Sequence, residues 1–381
     1  MPFRSMADSP LVYAVEHTGT NFAAPPLPTL ANLLVILPLP DPFAWANDPF
    51  GGTRSTNFSD WSHRRAQIKA QIENYEIGFK PPVDPTNIFA SFSGNTLTVR
   101  VTNAVAGTNR TLTLTCAVSF PPTGSGPYPA IIGMNSPNGS ISLGGRRIAT
   151  ITFSHNQVTT YNNPQNSNPY YQLYAAPYAP VLNIVNTGQY SAWAWGVSRI
   201  VDYLQTDPSV DGTRIALFGH SRLGKTALWA SALDPRIAAV FSSCSGEMGA
   251  ALARRDWGET VDDMAQNFPW QFAPAFPKWA GRWSEMPVDA HMLIALSAPR
   301  PVFVTGGTAD QWADPKGEFL AAVAAGPVYK LLGKKDLGVT TLPPLDTPVI
   351  DGDLGWHYHT GGHVATRADW QAFLTFFEKH L

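Results

Sequence analysis

Ser221 stands between an apolar run, Arg214-Ile215-Ala216-Leu217-Phe218-Gly219, and a segment of small residues with Leu and Trp that runs from Gly224 to Ala230. The run, bounded by Asp211-Gly212, reads as a short buried strand and the segment as a helix, which puts the serine on the turn between them. A serine so placed projects its hydroxyl outward beside helix N–H groups that have no intrahelical acceptor. Those donors, with the helix dipole, can hold the negative oxygen of a tetrahedral intermediate. An N-capping serine is the plainer alternative. Two cations favour catalysis: Arg222 follows the serine, where its backbone N–H and guanidinium can both face an oxyanion, and Lys225 lies four residues on, on the same helix face.

A serine nucleophile needs a base and an acid that orients it. In α/β-hydrolases the chain order is serine, acid, histidine, although here the second glycine of the nucleophile turn is displaced to Gly224. Behind Ser221 lie His291, His357, His359, His363 and His380. His363 follows Gly361-Gly362 and precedes a helix opened by Thr366, a backbone-dense loop suited to a base; His359 is its competitor. For the acid, Asp310 follows the strand-like Pro301–Gly306 run and a glycine turn, where it can fix the tautomer of His363. Glu247 ranks second. Asp314, before Pro315 and a helix beginning at Lys316, reads more readily as a turn or capping residue.

The elements that must position these groups alternate. Residues 1–40 are irregular and proline-rich and read as an extended arm; residues 41–381 read as one catalytic domain. A helix is expected over Asn57–Ile72. An antiparallel hairpin follows from the alternating Thr96–Val101 and Thr111–Val118 runs around Ala106-Gly107-Thr108-Asn109. Tyr128–Met134, Arg147–Phe153, Ile237–Ser243 and Pro301–Gly306 read as buried strands, Tyr190–Leu204 as a helix, and 156–168 as a surface loop. Strands alternating with helices imply an α/β fold with a mostly parallel sheet, whose ligands bind beyond the carboxyl ends of the strands.

Composition narrows the function classes. With 26 basic against 28 acidic residues, no global field favours nucleic acid or an anionic membrane. The 12 tryptophans are expected mostly in the core, with exposed ones suited to sugar rings. Two cysteines, Cys116 and Cys244, rule out a disulfide framework and leave one bridge open; no metal site or cofactor is expected. Met1–Ala7 has no continuous apolar h-region, and Leu33–Leu37 is too short to cross a bilayer. Either the protein works in the cytoplasm or a leader has been removed.

The chain resembles the glucuronoyl esterases of carbohydrate esterase family fifteen, in their bacterial form. The residues that carry this are Gly219-His220-Ser221-Arg222-Leu223-Gly224-Lys225-Thr226-Ala227, Ser245-Gly246 running into Ala250–Arg255 and Gly258–Val261, Asp310–Phe319, and Gly361-Gly362-His363. Leu39–Phe43 and Asp60–Arg65 extend the resemblance, which runs from about Leu37 to the end. It implies an α/β-hydrolase fold: a three-layer sandwich with a mostly parallel central sheet and an N-terminal antiparallel hairpin. It also implies an exported enzyme, secreted or periplasmic. The implied substrates are esters of (4-O-methyl-)glucuronic acid that link glucuronoxylan to lignin alcohols. By position, Ser221 is the nucleophile, His363 the base, Arg222 the oxyanion partner, and Lys225, Glu259 and Trp312 the sugar-gripping residues. Fungal members carry their acid as a glutamate where Cys244 stands; bacterial-type members use an aspartate after the next strand, which matches Asp310. A broader carbohydrate esterase, such as one deacetylating xylan, and a non-catalytic carbohydrate-binding protein are the alternatives.

Overall fold

The structure, a computed structural model, describes residues 39–45, 53–105, 107–135, 143–161, 167–174 and 187–380. Of the arm expected over residues 1–40, all but the last two residues lie outside this set. Near the N-terminal end, Ile88–Ser93 (β1), Thr96–Val105 (β2) and Thr108–Ser119 (β3) pair antiparallel. Leu97, Val99 and Val101 on β2, and Leu112, Leu114, Cys116 and Val118 on β3, are buried, while the residues between them face outward. This is the period of two that a half-covered sheet requires.

The remaining strands are Tyr128–Met134 (β4), Ala149–Phe153 (β5), Val210–His220 (β6), Ala239–Ser243 (β7), Val302–Gly307 (β8) and Leu354–His359 (β9). With the first three they form a nine-stranded sheet in the order β1-β2-β3-β5-β4-β6-β7-β8-β9, parallel from β5 onward. The central strands are apolar on both faces and so build two cores. Leu217 and Val240 join the larger one with Trp193 and Trp195 of the helix Gln189–Leu204. Their neighbours Phe218 and Phe241 join Trp370, Phe373 and Phe377 of the C-terminal helix Arg367–Lys379. Helices cover both faces, giving the three-layer α/β-hydrolase sandwich that the alternation of elements implies. Among the described residues no helix is long and apolar enough to cross a membrane.

Several boundaries and two strands differ from expectation: Ile88–Ser93 adds a third strand to the hairpin, β9 is new, and the stretch 156–168, expected as a surface loop, buries Val158, Thr159 and Asn168. The first helix is α-helical only over Trp61–Ile72, behind a short 3-10 turn at Phe58–Asp60, and β5 begins at Ala149 rather than Arg147. β9 has no apolar run to reveal it, because two of its six residues are histidines and one is glycine. Its burial is possible only because a carboxylate elsewhere receives both imidazoles. Cys116 lies inside the hairpin and Cys244 at the end of β7, each a free, buried thiol, so the bridge left open between them is not formed.

The turn from β6 into the helix Arg222–Leu233 sets up everything above the sheet. Ser221 has φ 59° and ψ −131°, a left-handed conformation that costs a non-glycine residue about 1–3 kcal/mol. Its N–H donates to Ser243 O of β7 at 2.8 Å, which locks the strained residue onto the neighbouring strand. Gly219 has no substitute: a Cβ there would stand 1.8 Å from Leu223 O. Gly224 faces Ser243 O and the Ser245 Cβ, 3.0 and 3.1 Å from where its own Cβ would be. The displaced second glycine therefore lets the helix settle against the loop that follows β7. Gly219→Ala is expected to destabilise the fold by at least about 3 kcal/mol, read from urea denaturation; a wild-type midpoint would contradict this account of the turn.

Candidate active site

Above the carboxyl ends of β6 to β9, Ser221, Arg222, Lys225, Glu259, Asp310, Trp312 and His363 line one cavity of about 400 Å³. All seven residues singled out in the sequence thus meet in one place. His363 Nδ1 and Asp310 Oδ2 are 2.7 Å apart; the carboxylate is buried, while the imidazole side chain is 44% exposed. That bond fixes which ring nitrogen faces the carboxylate and leaves Nε2 for a reacting hydroxyl. Backbone bonds between the loops after β8 and β9, from Ala309 N to Gly361 O (2.7 Å) and from Thr308 N to His359 O (3.0 Å), hold the two residues together. The His220 ring packs 4.6 Å from that of His363. Burial, then the neighbouring His363, lowers the His220 pKa to about 4, so a neutral ring lies against the candidate base.

The competing residues have other work. His357 Nδ1 lies 2.6 Å, and His359 Nδ1 within 3.2 Å, of the Asp369 carboxylate, and His359 Nε2 reaches Gly362 O at 3.1 Å. His359 thus braces the loop on which His363 stands and does not face the cavity. Asp369 also accepts Thr366 N and Oγ1 in a capping box at the start of the last helix. Burial opposes its charge, yet bonds from His357, His359 and Thr366 prevail and take its pKa down to about 2. Asp314 pairs with Arg255 at 2.6 Å at the head of the helix Pro315–Leu331. Glu247 points into a separate small cavity beside Glu76 and Asp289, where burial first, and Asp289 next, push its pKa well up. Neither carboxylate lines the cavity that holds Ser221.

Several contacts in and around the cavity were not legible in the sequence. Lys225 forms a buried ion pair with Glu259, 34 residues away. The Arg222 guanidinium lies 4.1 Å over the Tyr161 ring, and its buried Nε has no hydrogen-bond partner among the described residues. Tyr190 donates to Gln271 Oε1, and both line the cavity. Beneath its floor, the fully buried Glu318 accepts Ser245 N (2.6 Å), Gly246 N (2.9 Å) and Ser245 Oγ. Burial raises its pKa to about 8. Most tryptophans are core residues as expected, but Trp257 and Trp312 are more than half exposed.

The sheet order, the strained serine between β6 and its helix, and the carboxylate–imidazole pair at the next strand ends define an α/β-hydrolase. Residues 103–333 match the family model described as "Glucuronyl esterase, fungi". A carbohydrate esterase of an unknown prokaryotic organism is 44% identical over 194 residues, 51% of this chain and 45% of its own length. A 4-O-methyl-glucuronoyl methylesterase of Podospora anserina is 33% identical, covering 70% of this chain and 56% of the relative. The chain therefore spans about half the length of these curated relatives. A mutant glucuronoyl esterase of Sporotrichum thermophile, solved in complex with methyl 4-O-methyl-beta-D-glucopyranuronate, superposes with a TM-score of 0.75 at 25% identity, over 94% of this chain and 92% of that one. The chain belongs to the glucuronoyl esterase family.

The Asp369 clamp gives a pH signature. Its folded-state pKa of about 2 lies below the ordinary 3.8, so its contribution is complete above the unfolded value and fades as pH falls through the folded one. Asp369→Asn is expected to cost about 3–5 kcal/mol at neutral pH and to flatten the loss of stability between about pH 4 and pH 2, measured as urea midpoints across that range. An unchanged acid limb would remove Asp369 from this role.

Proposed function

We propose that the chain is a serine esterase that hydrolyses esters of glucuronic acid, 4-O-methylated or not, at the links between glucuronoxylan and lignin alcohols. The observation that carries this reading is the buried Lys225–Glu259 pair, one helical turn from Ser221 and inside the same cavity. In a uronate ester the acyl carbon belongs to the sugar, so the ring must sit beside the nucleophile and its hydroxyls must be met there. Lys225 has donors and Glu259 acceptors for them, and Trp312 has an exposed ring face. An acetyl ester puts only a methyl group at that place and has no use for a buried ion pair. The family membership and the uronate ester bound to the Sporotrichum thermophile relative support the same choice.

In the proposed reaction His363 Nε2 takes the proton from Ser221 Oγ as the oxygen attacks the uronoyl carbonyl. Asp310 holds the imidazole and stabilises the imidazolium that forms. The oxyanion is received by the first N–H groups of the helix Arg222–Leu233 and by the Arg222 guanidinium, which Tyr161 supports from behind. The alcohol leaves with the proton from His363, and water cleaves the acyl-enzyme by the same route. The half-exposed imidazole leaves the alcohol side open, consistent with a bulky lignin-derived leaving group. A polymeric wall substrate places the reaction outside the cytoplasm.

Initial rates on benzyl glucuronate and on an acetyl ester test this reading. Uronate turnover should exceed acetate turnover, fall roughly 10⁴-fold or more in Ser221→Ala, and fall in Lys225→Ala by about tenfold or more in kcat/KM. Activity on acetate alone would indicate the broader carbohydrate esterase, and xylooligosaccharide binding without turnover of either ester a binding protein.

A further inference from the structure

Cys244 stands at the end of β7 with φ 47°, its N–H bonded to Thr305 O at 2.8 Å. The backbone is fixed, but the thiol is weakly engaged: its polar neighbours are Val364 O and Ser243 Oγ, each 3.8 Å from Sγ. Sγ, a carboxylate oxygen of Asp310 and a ring nitrogen of His363 all lie within 4.8 Å of one another, and all three residues line the cavity that Ser221 faces. Cysteine, histidine and aspartate together make a donor set for a borderline-soft divalent cation. A thiolate and a carboxylate supply the two negative charges that such an ion needs. Nothing in sequence spacing announces the set, because its members come from the ends of three different strands.

We propose that Cys244, Asp310 and His363 form a binding site for a thiophilic divalent cation, zinc or cadmium, and that its occupation reversibly arrests turnover. Bonds of about 2.0–2.3 Å to N, O and S in a tetrahedral set put the donors roughly 3.3–3.7 Å apart, so the pair at 2.7 Å opens while Sγ, within 4.8 Å of both, comes closer. His363, half-exposed behind Gly361-Gly362, is the ligand free to make that movement. The fourth position faces the cavity and is open to water. On binding, the Cys244 thiol loses its proton to solvent and the sulfur donates an electron pair to the ion. The carboxylate and the imidazole each donate a lone pair, and the proton on the coordinating ring nitrogen moves to the other ring nitrogen. Affinity therefore rises with pH. The ion replaces the proton held between His363 Nδ1 and Asp310 Oδ2, now 2.7 Å apart, so the pair cannot orient a base while it is bound. The cation is an inhibitor in this account, not a cofactor. Binding stands on the geometry alone; only the arrest rests on the esterase reading.

Two readouts keep these apart. Cadmium chloride titrated into the full chain should give a thiolate-to-metal charge-transfer absorbance that saturates near one equivalent. The band should be lost in Cys244→Ser and Cys244→Ala and kept in Cys116→Ser, whose buried thiol lies in the hairpin. Zinc and cadmium should lower kcat/KM on benzyl glucuronate by more than about tenfold, with recovery on adding a chelator. Each Cys244 variant, compared with its own rate in chelator, should be insensitive. Absence of the band, or its persistence in both Cys244 variants, overturns the site. A saturating band with unimpaired hydrolysis overturns its placement on the histidine–aspartate pair. If no ester is turned over at all, the esterase reading fails while the band still decides the site.

Discussion

The close approach of backbone to backbone at Gly219 is the constraint on which the rest depends. Only where a Cβ is missing can the chain fold back so far that Leu223 O lies where that atom would be. The fold-back forces Ser221 into its left-handed conformation and starts a helix immediately behind it. One geometric event therefore presents the hydroxyl, exposes the first helix N–H groups and orients Arg222 and Lys225. The strain is held by the bond from Ser221 N to Ser243 O and by two apolar cores that leave the sheet no room to relax.

The second constraint is electrostatic. A carboxylate that orients an imidazole must reach it with a hydrogen bond. Asp310 emerges on a glycine turn past β8 and, itself buried, meets the half-exposed His363 at 2.7 Å. Glu247 does not: burial first, and Asp289 next, disfavour its charge. Around the pair, neighbouring ionisable groups are kept from competing. His220 is held neutral by burial, His357 and His359 are tied to Asp369, and Glu318 is bonded under the floor.

What could be read in the sequence was whatever local patterning dictates. The alternating hairpin, the apolar strands of the parallel sheet and the elbow around Ser221 each declare themselves within about ten residues. The Asp310–His363 pairing came from chain order, from the place of Asp310 just past a strand and from the resemblance to bacterial-type members. What escaped depends on contacts distant in sequence. β9 carries Trp-His-Tyr-His in place of an apolar run and is a buried strand only because Asp369 receives two imidazoles. Asp369 itself reads as the fourth residue of a capping box, with no hint of this further role. Glu318 sits in the first turn of its helix, and no local pattern marks Tyr161, Tyr190 or Gln271. Their place at the cavity follows from how the layers stack.

The proposed role of Asp310, past β8, is to orient His363. The most direct measurement is kcat/KM on benzyl glucuronate for Asp310→Asn beside Glu247→Gln. A loss of roughly 10³–10⁴ is expected for the first and less than about tenfold for the second. Equal losses, or damage from Glu247→Gln alone, would contradict it.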